Sequence, residues 1–100
     1  MSGQPLPAGW KSVRLAIRGR VQGVSYRDWT VSEATARGLD GWVRNRSDGS
    51  VEAFVSGPAA AVDEMAEACR RGPRAARVTE IEITQETARA ETGFAQLPTV

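Results

Sequence analysis

From Val13 to Arg18 the side chains alternate, with Val13, Leu15 and Ile17 set against Arg14, Ala16 and Arg18. A period of two sorts neighbours onto opposite sides of a strand, so a strand with one buried face begins near Lys11. Residues 1–10 ahead of it contain Gly3, Pro5, Pro7 and Gly9 and read as a flexible arm; the domain proper is expected over 11–97. Gly19-Arg20-Val21-Gln22-Gly23-Val24 then breaks the alternation as a loop with a glycine at each end. Ser25, followed three residues later by Asp28, matches a helix start signal and predicts a helix from Tyr26 to Arg37, capped by Gly38. A second strand fits Gly41 to Ser47. Asp48-Gly49 is a hairpin signal in which both turn positions would take positive φ, and Val51, Ala53 and Val55 alternate with Glu52, Phe54 and Ser56 as the returning strand.

Gly57-Pro58 stops that strand, and Val62, Met65, Ala66 and Cys69 follow at helical spacing until Gly72-Pro73. Ile81 and Ile83 alternate with Glu80, Glu82 and Thr84 as a fourth strand. Val78 is out of phase with them, which calls for a bulge or a later start. Phe94 and Leu97 suggest a short, weak edge strand near the C-terminus. The order β-α-β-β-α-β predicts an α+β, ferredoxin-like α/β sandwich, with both helices on one face of an antiparallel sheet.

Composition narrows the chemistry. One hundred residues, 41% hydrophobic and 25% charged, make one ordinary globular domain. Thirteen basic against twelve acidic residues are too balanced for a strongly basic nucleic-acid binder. There is no His, which removes a histidine base, a Ser-His or Cys-His pair and any histidine metal ligand. The single Cys69 can form neither an intrachain disulfide nor a thiolate metal site, and it shares the apolar face of the second helix. No apolar run is long enough to cross a bilayer, and Met1–Gly9 lacks the basic start and apolar stretch of a secretory signal, so a cytoplasmic protein is expected.

Two residues break local rules, and such breaks mark functional or strained positions. Arg27 falls in the first turn of the first helix, where a cation meets the positive end of the macrodipole. Three arginines and no acid stand between Arg18 and Arg27. A glycine loop, a helix N-terminus and a guanidinium together describe a cradle for an anion, and phosphate suits it because the planar fork grips two oxygens. The plainer alternative has Arg27 reaching into solvent while Gly19 and Gly23 shape a turn. Asn45 sits among β-formers, and its amide offers donors and an acceptor that could hold a water; its alternative is to open the turn at Asp48-Gly49. Trp29, Trp42 and Phe54 read as core or sheet-face residues.

Three stretches carry a specific likeness: Gly19-Arg20-Val21-Gln22-Gly23-Val24-Ser25-Tyr26-Arg27, Gly38-Leu39-Asp40-Gly41-Trp42-Val43-Arg44-Asn45, and Asp48-Gly49-Ser50-Val51-Glu52. In order and spacing they resemble the signature stretches of the acylphosphatases, and the likeness runs on through Gly72-Pro73 to cover roughly residues 11–84. The resemblance implies the ferredoxin-like fold and hydrolysis of the carboxyl-phosphate bond of small acyl phosphates, without metal or cofactor. It further implies that Arg27 binds the substrate phosphate with backbone N–H groups of the loop Val21, Gln22, Gly23, Val24, Ser25 and Tyr26, and that Asn45 orients the attacking water. Tyr26 stands where the family commonly has Phe, and Gln96, Leu97 and Pro98 are less regular than its usual last strand. Two other readings remain: a noncatalytic module that binds phosphate or carbamoyl phosphate, and an RNA-binding domain. The latter needs paired aromatics on the middle strands and a basic sheet face, which Glu52, Glu80 and Glu82 oppose. No nucleic-acid or membrane partner is expected, and a monomer is the default for a small self-contained domain.

Overall fold

The alternation at the start of the chain becomes β1, Trp10–Arg20, in the computed structural model, which describes residues 5–100. Residues 1–4 of the expected arm lie outside the described residues. β1 begins one residue earlier than expected, where the Trp10 N–H bonds the Pro7 carbonyl at 3.1 Å and the Gly9 carbonyl accepts from Ala59 at 2.9 Å. The chain continues as α1 (Tyr26–Ala36), β2 (Asp40–Asn45), β3 (Val51–Pro58), α2 (Ala59–Arg71), β4 (Arg77–Glu86) and β5 (Phe94–Gln96).

The sheet order is β4-β1-β3-β2-β5. The four long strands pair antiparallel, whereas β5 runs parallel to β2, so the sheet is mixed. Register places Leu15 against Ala53 and Ile83, and Val43 against Ala53, which gathers these residues on one face. Val62, Met65 and Cys69 of α2 and Ala34 of α1 close over that face as the core. Asn45 has the parity of Val43 and therefore belongs to the helix side of the sheet.

β3 lies between β1 and β2 and is buried on both faces from Val51 to Gly57, not on one face as its alternation implies. The reason is the connection from β4 to β5, which must pass from one sheet edge to the other. It crosses the face away from the helices, where the Ala90 N–H bonds the Ser56 Oγ at 2.9 Å.

Helix α1 ends as expected at Gly38, whose φ of 69° lets its N–H reach the Thr35 carbonyl while Leu39 reaches Ala34. The hairpin differs from expectation. The Arg46 N–H bonds the Ser50 carbonyl at 2.8 Å and Gly49 returns to Arg46 at 3.1 Å, which leaves a three-residue loop, Ser47-Asp48-Gly49. Gly49 alone takes positive φ, because the Asp48 Oδ1 accepts the Ser50 N–H and hydroxyl and so fixes the turn by side chain. The out-of-phase Val78 proves to be a bulge: Arg18 pairs with Glu80 and Gly19 with Val78, so Thr79 is the extra residue. Only glycine fits opposite it, since a Cβ at Gly19 would lie 2.1 Å from the Arg77 carbonyl oxygen.

Candidate active site

The loop between β1 and α1 is pinned by its two valines and by one amide. Val21 and Val24 are buried. The Gln22 Nε2 donates to the Arg46 carbonyl at 2.8 Å and the Ser50 carbonyl at 2.9 Å, tying the loop to the hairpin just beyond Asn45. Between these anchors Gly23 (φ 74°) and Ser25 (φ 63°) adopt left-handed backbone. Among the described residues, no backbone N–H from Val21 to Tyr26 donates to a protein acceptor. Left-handed residues interspersed in a loop, running into a helix N-terminus, make a concave row of donors.

Ser25 does not cap α1 by its side chain, as the start signal implied. Its left-handed backbone turns the hydroxyl away, and no cap hydrogen bond forms. Asp28 is likewise not spent on a cap: its Oδ1 accepts from the Gln96 Nε2 at 2.9 Å.

Arg27 and Asn45 meet at a cleft of about 280 Å³, with Val21, Gly23, Ser25 and Tyr26 on the loop side. The side chains of Gln22 and Val24 are spent instead as anchors of the loop. Arg27 is half-buried and, among the described residues, pairs with no carboxylate, unlike Arg14, Arg37, Arg44 and Arg46. The Asn45 amide has no side-chain partner among the described residues, while its backbone is held on both flanks, by Val51 in β3 and by Val100, whose N–H bonds the Asn45 carbonyl at 3.2 Å. Asn45 ends β2, and the turn opens one residue later at Arg46, so the turn does not account for it.

A guanidinium with no counter-ion, a row of free amide donors and an unengaged carboxamide share one small cavity. Asp28 and Gln96 complete the lining, and sequence reasoning missed both. In the sequence Asp28 reads as part of the helix start signal. Gln96 is exposed in a strand of three residues, too short for any periodicity to mark it.

Cys69 is buried, and burial pushes its thiol up to about 12, which removes it as a nucleophile. A larger groove of about 660 Å³ lies on the opposite sheet face, under the β4–β5 crossing, and includes Arg14, Trp42, Phe54 and Glu86. Trp42 and Phe54 do pair there, with centroids 6.0 Å apart. The Arg14 guanidinium lies over both rings and Arg44 over Trp42, while Glu52 and Glu86 hold Arg14. Arg14, Glu86 and Arg89 of the groove are already paired, whereas, among the described residues, Arg27 of the smaller cleft is not.

The acylphosphatase family model matches residues 13–96. The chain belongs to the acylphosphatase family. It is 53% identical to an acylphosphatase of Rhizorhabdus wittichii over 87% of this chain and 88% of the relative. Among solved structures, the acylphosphatase of Bacillus subtilis superposes with a TM-score of 0.83 at 36% identity, over 87% of this chain and 98% of the other. The acylphosphatase of Coxiella burnetii superposes with a TM-score of 0.85 at 26% identity, over 89% and 94%. The acylphosphatase match thus spans both sides of the cleft, from β1 to β5.

Proposed function

We propose that Arg27 and the backbone N–H groups of Val21–Tyr26 seat the phosphoryl group of an acyl phosphate, and that Asn45 holds the attacking water. The chain is an acylphosphatase: it hydrolyses acyl phosphates to carboxylate and inorganic phosphate. The observation that carries the site assignment is the shared cleft, where a guanidinium with no carboxylate partner among the described residues meets donors with no protein partner.

Water oxygen bonds to phosphorus, the bond from phosphorus to the bridging carboxyl oxygen breaks, and the electron pair leaves with the carboxylate. A carboxylate is a good enough leaving group to need no strong acid, in keeping with a chain that has no His. The proton of the water passes to a phosphoryl oxygen of the substrate. A loose transition state leaves the protein mainly positioning and charge stabilisation to do, and the guanidinium with the amides supplies both. This chemistry proceeds without metal or cofactor. The site lies within a domain over 11–97 and acts in the cytoplasm on a small molecule. We place the protein as a monomer, because the exposed edge strand β4 presents Glu80 and Glu82. It takes no nucleic acid, since guanidiniums already occupy the aromatic pair and the β4–β5 connection crosses that sheet face.

The test is release of phosphate from benzoyl phosphate by the full chain with chelator present, beside an RNA gel shift. Turnover without an RNA shift is expected. Arg27→Ala should lose roughly a hundred- to a thousandfold in kcat/KM and also inhibition by inorganic phosphate. Asn45→Ala should lower kcat while leaving phosphate inhibition in place, because water positioning matters only in the reactive complex. Equal phosphate inhibition in Arg27→Ala and wild type overturns the seat. Phosphate binding without turnover would favour the noncatalytic module.

A further inference from the structure

β5 brings one polar side chain to the cleft. Its register with β2 sets Phe94 against Gly41 and Gln96 against Val43, so both side chains leave the strand on the helix side. Phe94 packs against the core there, as an inward position should. Gln96, two residues on, leaves on the same side but is exposed, at the end of the strand where it borders the cleft. Its Nε2 reaches across the cleft to the Asp28 Oδ1, 2.9 Å away. Asp28 is the neighbour of Arg27 in the first turn of α1, and Val43 is two residues from Asn45 on β2. Among the described residues, this is the one side-chain hydrogen bond that joins α1 to β2 or β5.

We propose that Gln96 is a positioning residue for the hydrolysis: bonded to Asp28, it holds the helix end that carries Arg27 against the strand pair that carries Asn45. The proposal rests on the roles given above to those two residues. Where positioning dominates, a small misplacement of the phosphate seat relative to the water costs rate out of proportion to any change in stability. The bond also draws the Asp28 carboxylate toward β5, and so away from an incoming phosphoryl group that it would repel.

The experiment uses the full chain and three variants. Gln96→Leu removes the amide at an exposed position, so its melting temperature should stay close to that of wild type while kcat falls about tenfold. Inhibition by inorganic phosphate should stay within about twofold, because the seat itself is intact. Gln96→Glu sets two carboxylates against each other and should lower kcat at least as far. Adding Asp28→Asn to Gln96→Glu exchanges the two groups, renews the hydrogen bond at the same net charge, and should bring kcat back to within about threefold of wild type. A purely structural role would lower the melting temperature of Gln96→Leu and would not predict rescue by the exchange. Undiminished kcat in Gln96→Leu, or no recovery in the exchanged pair, overturns the inference. If wild type is active and Arg27→Ala is not, either result sinks the role of Gln96 alone. If wild type shows no turnover, the function and this inference fall together.

Discussion

Tyr26 shows how one hydroxyl separates stability from activity. Its ring is buried against Trp29, with centroids 5.3 Å apart, and its hydroxyl donates to the Cys69 carbonyl at 2.5 Å. That carbonyl stands in the last turn of α2, where its helical partner would be the N–H of residue 73; Pro73 has none. Tyr26 therefore satisfies an orphan created by the sequence of another helix. Tyr26→Phe should lower unfolding free energy by about 1–2 kcal/mol, read from a urea titration, and leave kcat/KM essentially unchanged. The choice of Tyr over Phe was visible in the sequence, but its reason was not, because the two residues that meet are 43 apart. Arg27 and Asn45 were legible for the opposite reason: each violates a rule of its own local element. Ser25 and Asp28 misled, since their spacing satisfies a local rule that a left-handed backbone and a distant amide override.

Among the elements, the three middle strands are joined by one acid. Glu52 of β3 is 11% exposed and takes hydrogen bonds from Arg14 of β1 at 2.8 Å, Arg44 of β2 at 2.8 Å and Arg46 beyond it at 3.1 Å. Burial opposes its charge, yet the hydrogen bonds from Arg44, Arg14 and Arg46 outweigh burial and hold the carboxyl below its ordinary value of 4.5. A carboxyl depressed in the fold binds fewer protons than in the unfolded chain. Its stabilisation is therefore complete above pH 4.5 and is lost as pH falls through the lower folded value. Glu52→Gln should cost about 1–3 kcal/mol at neutral pH and flatten the acid limb of a stability profile followed by circular dichroism. The alternation around Glu52 announced a strand with one wet face. It gave no sign that the segment after β4 would cover that face, for that segment has no periodicity to read.

Taken whole, the molecule has two sheet edges of different kinds. The β2 edge is closed by β5 and then by the tail, where Leu97 bonds the Val43 carbonyl at 2.9 Å and Ser47 bonds the Val100 oxygen at 2.7 Å. The β4 edge is open and ten residues long, and it shows Ile83 at 42% exposure among Glu80, Glu82 and Thr84. Directly opposed residues of an antiparallel pair share a face, so two β4 strands meeting at Ile81 or Ile83 would set glutamates against glutamates. Wild type should elute from size exclusion at the mass of one chain, and Glu80→Thr with Glu82→Thr should add a dimer at high concentration. The sequence order implied which strand begins and ends each crossover, whereas the use made of residues 87–93 emerges only in three dimensions. Those residues carry the chain over the sheet to the strand that braces the Asn45 side of the cleft. A single cut in that span would leave four strands and two helices standing while untethering Gln96 and the tail, so the scaffold could outlast the catalyst in the same molecule.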